Sequence, residues 1–338
     1  MTLAREPALT AEEIARSPAW YPLETLPSGD VRLVRLEEAA YLEASFLDQR
    51  ILALGYAQAR CSAALLEAAA VRLTPAAYYI FHTGHVGSTL ISRLLGAHAG
   101  FFSVREPLLL RAVAARADPG GGVPSLTTAL TLLGRTWRRE QRALVKVTSF
   151  VSELAGSVLE APYQPRAILM FAQPLAYLRS IFAGPNSRAE TRQLAASRQQ
   201  RLARRLGEGG GQFEVRCEGE LIAMSWLCEM SALRAAAGRF GSRILWVDFD
   251  RFLSEPVSGL RAMCEALGAQ AAAQEIESLI AGPLMRQYSK APQHAYDAGL
   301  RRELLHSAEQ QHGAQIRRGM LWLQQLSARH PVVADILR

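Results

Sequence analysis

The stretch Tyr78-Tyr79-Ile80-Phe81-His82-Thr83-Gly84-His85-Val86-Gly87-Ser88-Thr89 limits this chain more than any other. Its first five residues, aromatic and β-branched and preceded by Pro75, read as a buried strand. Two glycines then force a turn. Leu90, Ile91, Leu94 and Leu95 follow at helical spacing as far as His98. A strand that runs through a glycine turn into a helix is the unit of layered α/β domains. It also offers a row of backbone N–H groups and the positive end of a helix dipole, which together attract anions. No lysine precedes Ser88 and the glycines are only three apart, so the turn is not a GxxxxGK[ST] loop and an ordinary ATPase or GTPase is disfavoured. The Ser88 and Thr89 hydroxyls serve equally well as ligand donors or as helix caps.

The rest of the chain extends that unit. Further strands are expected at Phe101 to Val104, Ala143 to Thr148, Ala167 to Phe171 and Ile244 to Phe249, each followed by a helix-like or loop-like segment, which fits parallel pairing. Asp118 to Pro124 and Gly207 to Gly211 read as surface loops that interrupt the domain without ending it. From Cys217 onward the pattern is mostly helical, and no internal repeat is evident. The expected organisation is a covering segment over residues 1–75, with a helix from about Glu37 to Ala70, followed by one domain over 76–338. With 338 residues, 49% of them hydrophobic, the chain can bury a large core.

Composition removes several function classes. No apolar run approaches the roughly 20 residues that span a bilayer, and the first residues, which include Glu6, Glu12 and Glu13, lack the apolar core of a signal peptide. Cys61, Cys217, Cys228 and Cys264 are scattered without CxxC spacing, which argues against a metal site or a disulfide framework. A reducing, cytoplasmic setting is the expectation. The formal net charge of +7 comes almost entirely from arginine, which suits an acidic ligand, although high-GC codon usage enriches Arg and Ala equally well. Arg188, Arg192, Arg198, Arg201, Arg204 and Arg205 are accompanied only by Glu190. Arg198, Arg201 and Arg205 share one helical face, read either as a solvated helix or as a mobile basic lid. Aromatic interleaving is lacking, which argues against nucleic acid.

Phe81 to His98 resembles the loop and first helix of the sulfotransferase family, with His85 where the family carries a basic residue. Val104-Arg105-Glu106-Pro107 resembles the Glu-Pro that follows this helix in bacterial and tyrosylprotein-type members. Val145-Lys146-Val147-Thr148 resembles their next, lysine-containing strand. Arg166 to Phe182 resembles the segment that binds the donor's 3′-phosphate: Pro174 and Ser180 match, while Ala172 stands where an Arg is usual. Arg243 to Pro256 resembles the late strand and loop, and Gln315 to Gly319 faintly resembles an Arg-Lys-Gly element on the 3′-phosphate. The likeness covers residues 78–256 in order.

The resemblance implies a three-layer P-loop NTPase-like fold of sulfotransferase type, its central parallel sheet flanked by helices. It implies transfer of a sulfuryl group from 3′-phosphoadenosine 5′-phosphosulfate (PAPS) to a hydroxyl or amine of a small-molecule or peptide acceptor, with no metal. Thr83, Gly84, His85, Val86, Gly87, Ser88, Thr89 and Ser180 would bind the nucleotide. Glu106 would take the acceptor's proton, Lys146 would place a cation on the transferring group, and His85 would be a cationic donor beside a bound diphosphate. Read without a ligand, Glu106 is a cap or pairs with Arg105, Lys146 emerges at a strand edge, and His85 is a polar turn residue. Arg93, Arg166, Arg179 and Arg317 are candidates to replace the missing Arg at Ala172, and Lys290 and His294 are secondary acceptor-side candidates. Two alternatives remain: a non-catalytic nucleotide- or anion-binding protein on the same fold, and an ATP-dependent phosphotransferase.

Overall fold

A computed structural model describes residues 9–115, 123–207, 214–287, 295 and 297–338. The Asp118 to Gly122 and Glu208 to Gly211 parts of the expected loops, and Lys290 and His294, lie outside the described residues.

Eight strands are described, in two sheets. β1 (Trp20–Thr25), β2 (Val31–Arg35) and β3 (Gln58–Cys61) form a small antiparallel sheet near the N-terminus. β4 (Ala77–His82), β5 (Phe101–Arg105), β6 (Arg142–Lys146), β7 (Ala167–Phe171) and β8 (Ile244–Asp248) form the main sheet, in the order β5-β6-β4-β7-β8 with all four pairings parallel. The α/β class and the five parallel strands expected from the sequence are therefore present.

Parallel strands need long crossovers, and these place helices on both faces, so the strands are apolar on both sides. Alternation along β4 shows the division: Ala77, Tyr79 and Phe81 join one core, while Ile80 joins another. On the first face, Leu109, Leu130, Val158 and Leu233 bring in the helices Leu108–Ala115, Leu126–Leu133, Ala155–Leu159 and Glu218–Phe240. On the second face, Leu94, Leu260 and Ile276 bring in Ser88–Gly96, Pro256–Ala266 and Ala273–Ala281. β4 lies between β6 and β7, and the chain leaves it first toward β5 and later, after β6, crosses to β7. The loop after β4 thus sits where strand order reverses, at the carboxyl ends of the strands, which is where open α/β sheets form a crevice.

The expected long helix from Glu37 to Ala70 is not formed. Glu38–Glu43 is helical and Gln49–Leu54 is a 3-10 turn that ends at Gly55 with φ 73°. Gln58–Cys61 pairs with β2 instead, because that sheet has a free edge beside a residue run able to extend. Ala63–Ala70 is then a separate helix capped by Ser62. Two buried arginines, Arg105 at the end of β5 and Arg135 in the loop before β6, tie this N-terminal region down by donating to backbone carbonyls. Arg105 reaches Tyr41, Leu42 and Ala44, and Arg135 reaches Ile14, Ser17 and Trp20. Burial pulls the Arg105 guanidinium down to about 9, with Arg93 adding repulsion.

The arginine run after Arg188 is neither a solvated helix nor a lid. Arg198 and Arg201 are buried on the helix Ala195–Arg205 and both bond Glu229, which is fully buried on Glu218–Phe240. Arg205 meets Glu153. Burial by itself lowers the Arg198 pKa, but Glu229 and the other surrounding groups outweigh it and the net shift is upward. The partner carboxylates come from elsewhere in the chain, where a count of local charge does not see them.

Candidate functional site

The loop after β4 is built by its own backbone. Gly84 has φ 94°, His85 φ 54° and Gly87 φ 64°, so three of four consecutive residues adopt the left-handed region. A Cβ on Gly87 would stand 2.0 Å from Cε2 of Phe249, so both the dihedral and the packed ring exclude any larger residue there. His82, buried at the end of β4, braces the turn. Its Nδ1 accepts from the Gly84 N–H at 3.0 Å, which leaves Nε2–H to donate to the Val147 carbonyl at 2.8 Å and makes the ring a neutral imidazole.

Gly87 is the N-cap of Ser88–Gly96 and provides no side-chain cap. The N–H groups of Ser88, Thr89 and Leu90 have no carbonyl within the helix to bond, and these three residues line a cavity of about 490 Å³. Of the sequence-predicted residues, His85, Val86, Gly87, Ser88, Thr89, Glu106, Lys146 and Ser180 line this one cavity. Thr83 and Gly84 do not. Their N–H groups bond Met170 O and His82 Nδ1, so both residues shape the loop from behind.

Glu106 and Lys146 form an ion pair at the ends of adjacent strands. Lys146 is the last residue of β6 and is 1% exposed; Arg105, the last residue of β5, is its register partner, and Glu106 follows. Glu106 has φ 54°, a conformation that costs about 1–3 kcal/mol for a non-glycine residue. Two bonds hold it: the Glu106 N–H donates to Lys146 O at 2.6 Å, and the Leu47 N–H donates to Arg105 O at 2.8 Å. The Lys146 ammonium also donates to Thr89 Oγ1 at 3.5 Å and lies 5.9 Å from the Phe46 ring centroid. Glu106 is therefore not paired with Arg105, and Lys146 does not emerge into solvent.

His85 lies on the cavity wall formed with Pro174–Phe182 and Pro185–Gln193. Its Nδ1 is 3.2 Å from Ser187 Oγ and its Nε2 is 3.8 Å from Glu190, while its carbonyl accepts from Ser180 Oγ at 3.4 Å.

No Arg named as a replacement at Ala172 reaches the cavity. Ala172 is itself buried, with its carbonyl bonded to Trp226. Arg93 bonds Glu43 O and Ser45, Arg166 bonds Ala266 O, and Arg179 pairs with Glu309. Gln315 to Gly319 lies where two helices cross: Gln315 accepts from the Gly219 N–H, Gly319 packs on Gly219, and Arg318 pairs with Glu220. The far wall of the cavity was not foreseen from sequence. Phe249, Leu253, Met285, Leu300, Arg301, Leu304 and Leu305 form it, and Arg301 is 5% exposed. A helix rich in polar residues, far from any glycine loop, gives no local signal that its first turns border a site.

No family model and no curated protein matches the chain. Similar solved structures include the sulfotransferase domain from the curacin biosynthetic pathway, with 14% identity over 75% of this chain and 98% of that one and a TM-score of 0.41. A sulfotransferase from Alicyclobacillus acidocaldarius is 14% identical over 72% and 97% of the two chains, with a TM-score of 0.39. The mouse sulfotransferase SULT7A1, solved in complex with PAP, is 9% identical over 78% and 88%, with a TM-score of 0.44. Among the described residues no helix is long and apolar enough to cross a membrane.

Proposed function

We propose that this protein transfers a sulfuryl group from PAPS to a hydroxyl or amine. The observation that carries the reading is that one cavity holds the helix N-terminus at Ser88 and Thr89, a buried lysine and a carboxylate paired with it. The loop lacks the lysine of a nucleoside-triphosphate loop. Lys146 supplies an ammonium from a neighbouring strand instead.

In this reading the 5′-phosphosulfate lies against the N–H groups and hydroxyls of Ser88 and Thr89. The acceptor O–H gives its proton to the Glu106 carboxylate as its oxygen bonds to sulfur, and the bond from sulfur to the bridging phosphate oxygen breaks. The electron pair leaves on that oxygen, whose growing charge is met by Lys146, by the helix N-terminus and by His85 as imidazolium. The cavity carries these groups before any ligand arrives, so their orientation need not be paid for during reaction. Its apolar far wall, with Leu300 and Leu304 at 38% and 40% exposure, suits a small organic acceptor or the nucleoside.

A second reading is a protein that binds the nucleotide without transferring from it, favoured by Ala172 in place of an Arg. Incubation with PAPS and a panel of phenols, alcohols and amines separates the two. Acceptor-dependent formation of 3′-phosphoadenosine 5′-phosphate (PAP), read by chromatography, supports transfer. Tight nucleotide binding with no PAP formed above the blank for any acceptor supports the second reading.

A further inference from the structure

Ser187, His85 and Glu190 form a connected set of side chains, of which the donor reading uses only His85. His85 Nδ1 lies 3.2 Å from Ser187 Oγ, and the other ring nitrogen, Nε2, lies 3.8 Å from Glu190 Oε2. His85 and Ser187 both line the cavity, and the Glu190 side chain is about half exposed. Ser187 is the third residue of the helix Pro185–Gln193, whose N-cap is Gly184. A Cβ on Gly184 would stand 2.8 Å from Ser187 Oγ, so the glycine leaves room for the hydroxyl. The N–H groups of Asn186 and Ser187 have no carbonyl within that helix to bond. His85 is itself held at φ 54°, a strained conformation for a residue other than glycine, and such strain persists where the surroundings enforce it.

A hydroxyl bonded to an imidazole whose second nitrogen meets a carboxylate is the arrangement that turns a weak nucleophile into an effective one. With the ring proton on Nε2, on the side of Glu190, Nδ1 accepts from the Ser187 O–H. We propose that Ser187 is the nucleophile of a second activity of this cavity, the hydrolysis of uncharged carboxylic esters, with His85 as its base and Glu190 as a positioning residue. Ser187 Oγ bonds to the ester carbonyl carbon as its proton passes to His85 Nδ1. The Ser187 N–H, at the positive end of its helix, donates to the oxyanion that forms. The bond from carbon to the alcohol oxygen then breaks, and the alcohol leaves with the proton from His85. Water attacks the acyl-serine, giving a proton to His85, and the carboxylic acid departs as Ser187 regains its hydrogen. Phe249, Leu253, Met285, Leu300 and Leu304 line the same cavity and suit an ester with apolar groups. The activity needs no nucleotide and does not depend on the donor reading.

Treatment of the full chain with diisopropyl fluorophosphate, and assay with p-nitrophenyl acetate, test this. The fluorophosphate loses fluoride to Ser187 Oγ, and peptide mass spectrometry finds the adduct on Ser187. The acetate is hydrolysed with saturation by the folded chain and not by the heat-denatured one. Ser187→Ala lowers kcat by at least about 10²-fold. Glu190→Gln lowers kcat by about 10-fold and leaves KM within about 3-fold, the split expected of a residue that acts through His85. Thermal unfolding confirms that the variants are folded, and the wild-type adduct requires no variant at all. An unlabelled chain, an adduct on another residue, or hydrolysis that Ser187→Ala leaves unchanged overturns the assignment. Calorimetry with PAP reads the donor site separately, so failure of either reading is seen without the other.

Discussion

Lys146, which is buried, and Glu106, which is partly exposed, lie forty positions apart in the chain and form an ion pair because β5 and β6 run parallel and end in register. The pair does two things at once. It neutralises an ammonium that would otherwise be buried alone, and it stores a carboxylate and a cation side by side next to the Ser88 N-terminus. Glu106→Gln keeps an oxygen for Lys146 but loses the proton acceptor. Turnover of PAPS falls by about 10²–10⁴-fold while PAP affinity stays within about 3-fold, read by single-turnover PAP formation and by calorimetry. Unchanged turnover removes Glu106 as the base.

Gly87 and Gly55 have similar dihedrals, φ 64° and 73°, but different surroundings. At Gly55 a Cβ would meet nothing within 4 Å, so Gly55→Ala costs only the left-handed penalty of about 1–2 kcal/mol. At Gly87 the Cβ would also drive into Phe249, and Gly87→Ala adds about 1–3 kcal/mol from overpacking and weakens PAP binding. Urea unfolding of the two variants side by side measures the difference.

Glu229 is the single carboxylate that both Arg198 and Arg201 bond. Glu229→Ala leaves both guanidinium groups buried without it, a loss of about 3–5 kcal/mol in unfolding free energy. The same substitution disturbs the loop, since Arg198 also bonds Ser149 Oγ at 3.2 Å, and that oxygen lies 3.4 Å from where a Cβ on Gly84 would be. A change in unfolding midpoint no larger than that of an exposed pair such as Arg239 with Glu160 contradicts this placement.

Glu218 has its pKa lowered, first by the hydrogen bond from Arg188 and then by the charges of Arg188 and Arg192. A depressed carboxylate contributes stability that is fully present above its unfolded value of about 4.3 and is lost as pH falls through the lower folded value. Between pH 7 and 3, therefore, the melting temperature of Glu218→Gln falls less steeply than that of the wild type. Parallel acid limbs contradict the pairing.

Burial raises the thiol pKa of Cys61 and Cys228 to about 12 and of Cys264 to about 11. At pH 8 these three remain protonated and enclosed, whereas Cys217 is partly exposed. Iodoacetamide at that pH modifies Cys217 alone in the folded protein and all four after denaturation, as read by peptide mass spectrometry.

The strands were legible in the sequence because parallel strands buried on both faces are continuous apolar runs, and Ala167–Phe171 was delimited to the residue. The loop was legible because glycines mark left-handed backbone, although His85 and Glu106 also adopt it and carry no such mark. Gln58–Cys61 was hidden since its pairing with Val31–Val34 is a long-range fact, and the Ala- and Leu-rich residues around it imitate a helix. Glu229 inside a helix and Arg301 near the start of another were invisible for the same reason. Each acquires its partner only when distant segments pack.

Calorimetric titration of the purified chain with PAP, with ATP and magnesium as the control, tests the donor site most directly. Micromolar binding of PAP, about −8 kcal/mol, with none of ATP is the result that follows from the Ser88 N-terminus and Lys146 sharing one cavity. Absence of PAP binding, or preferential binding of magnesium and ATP, contradicts it.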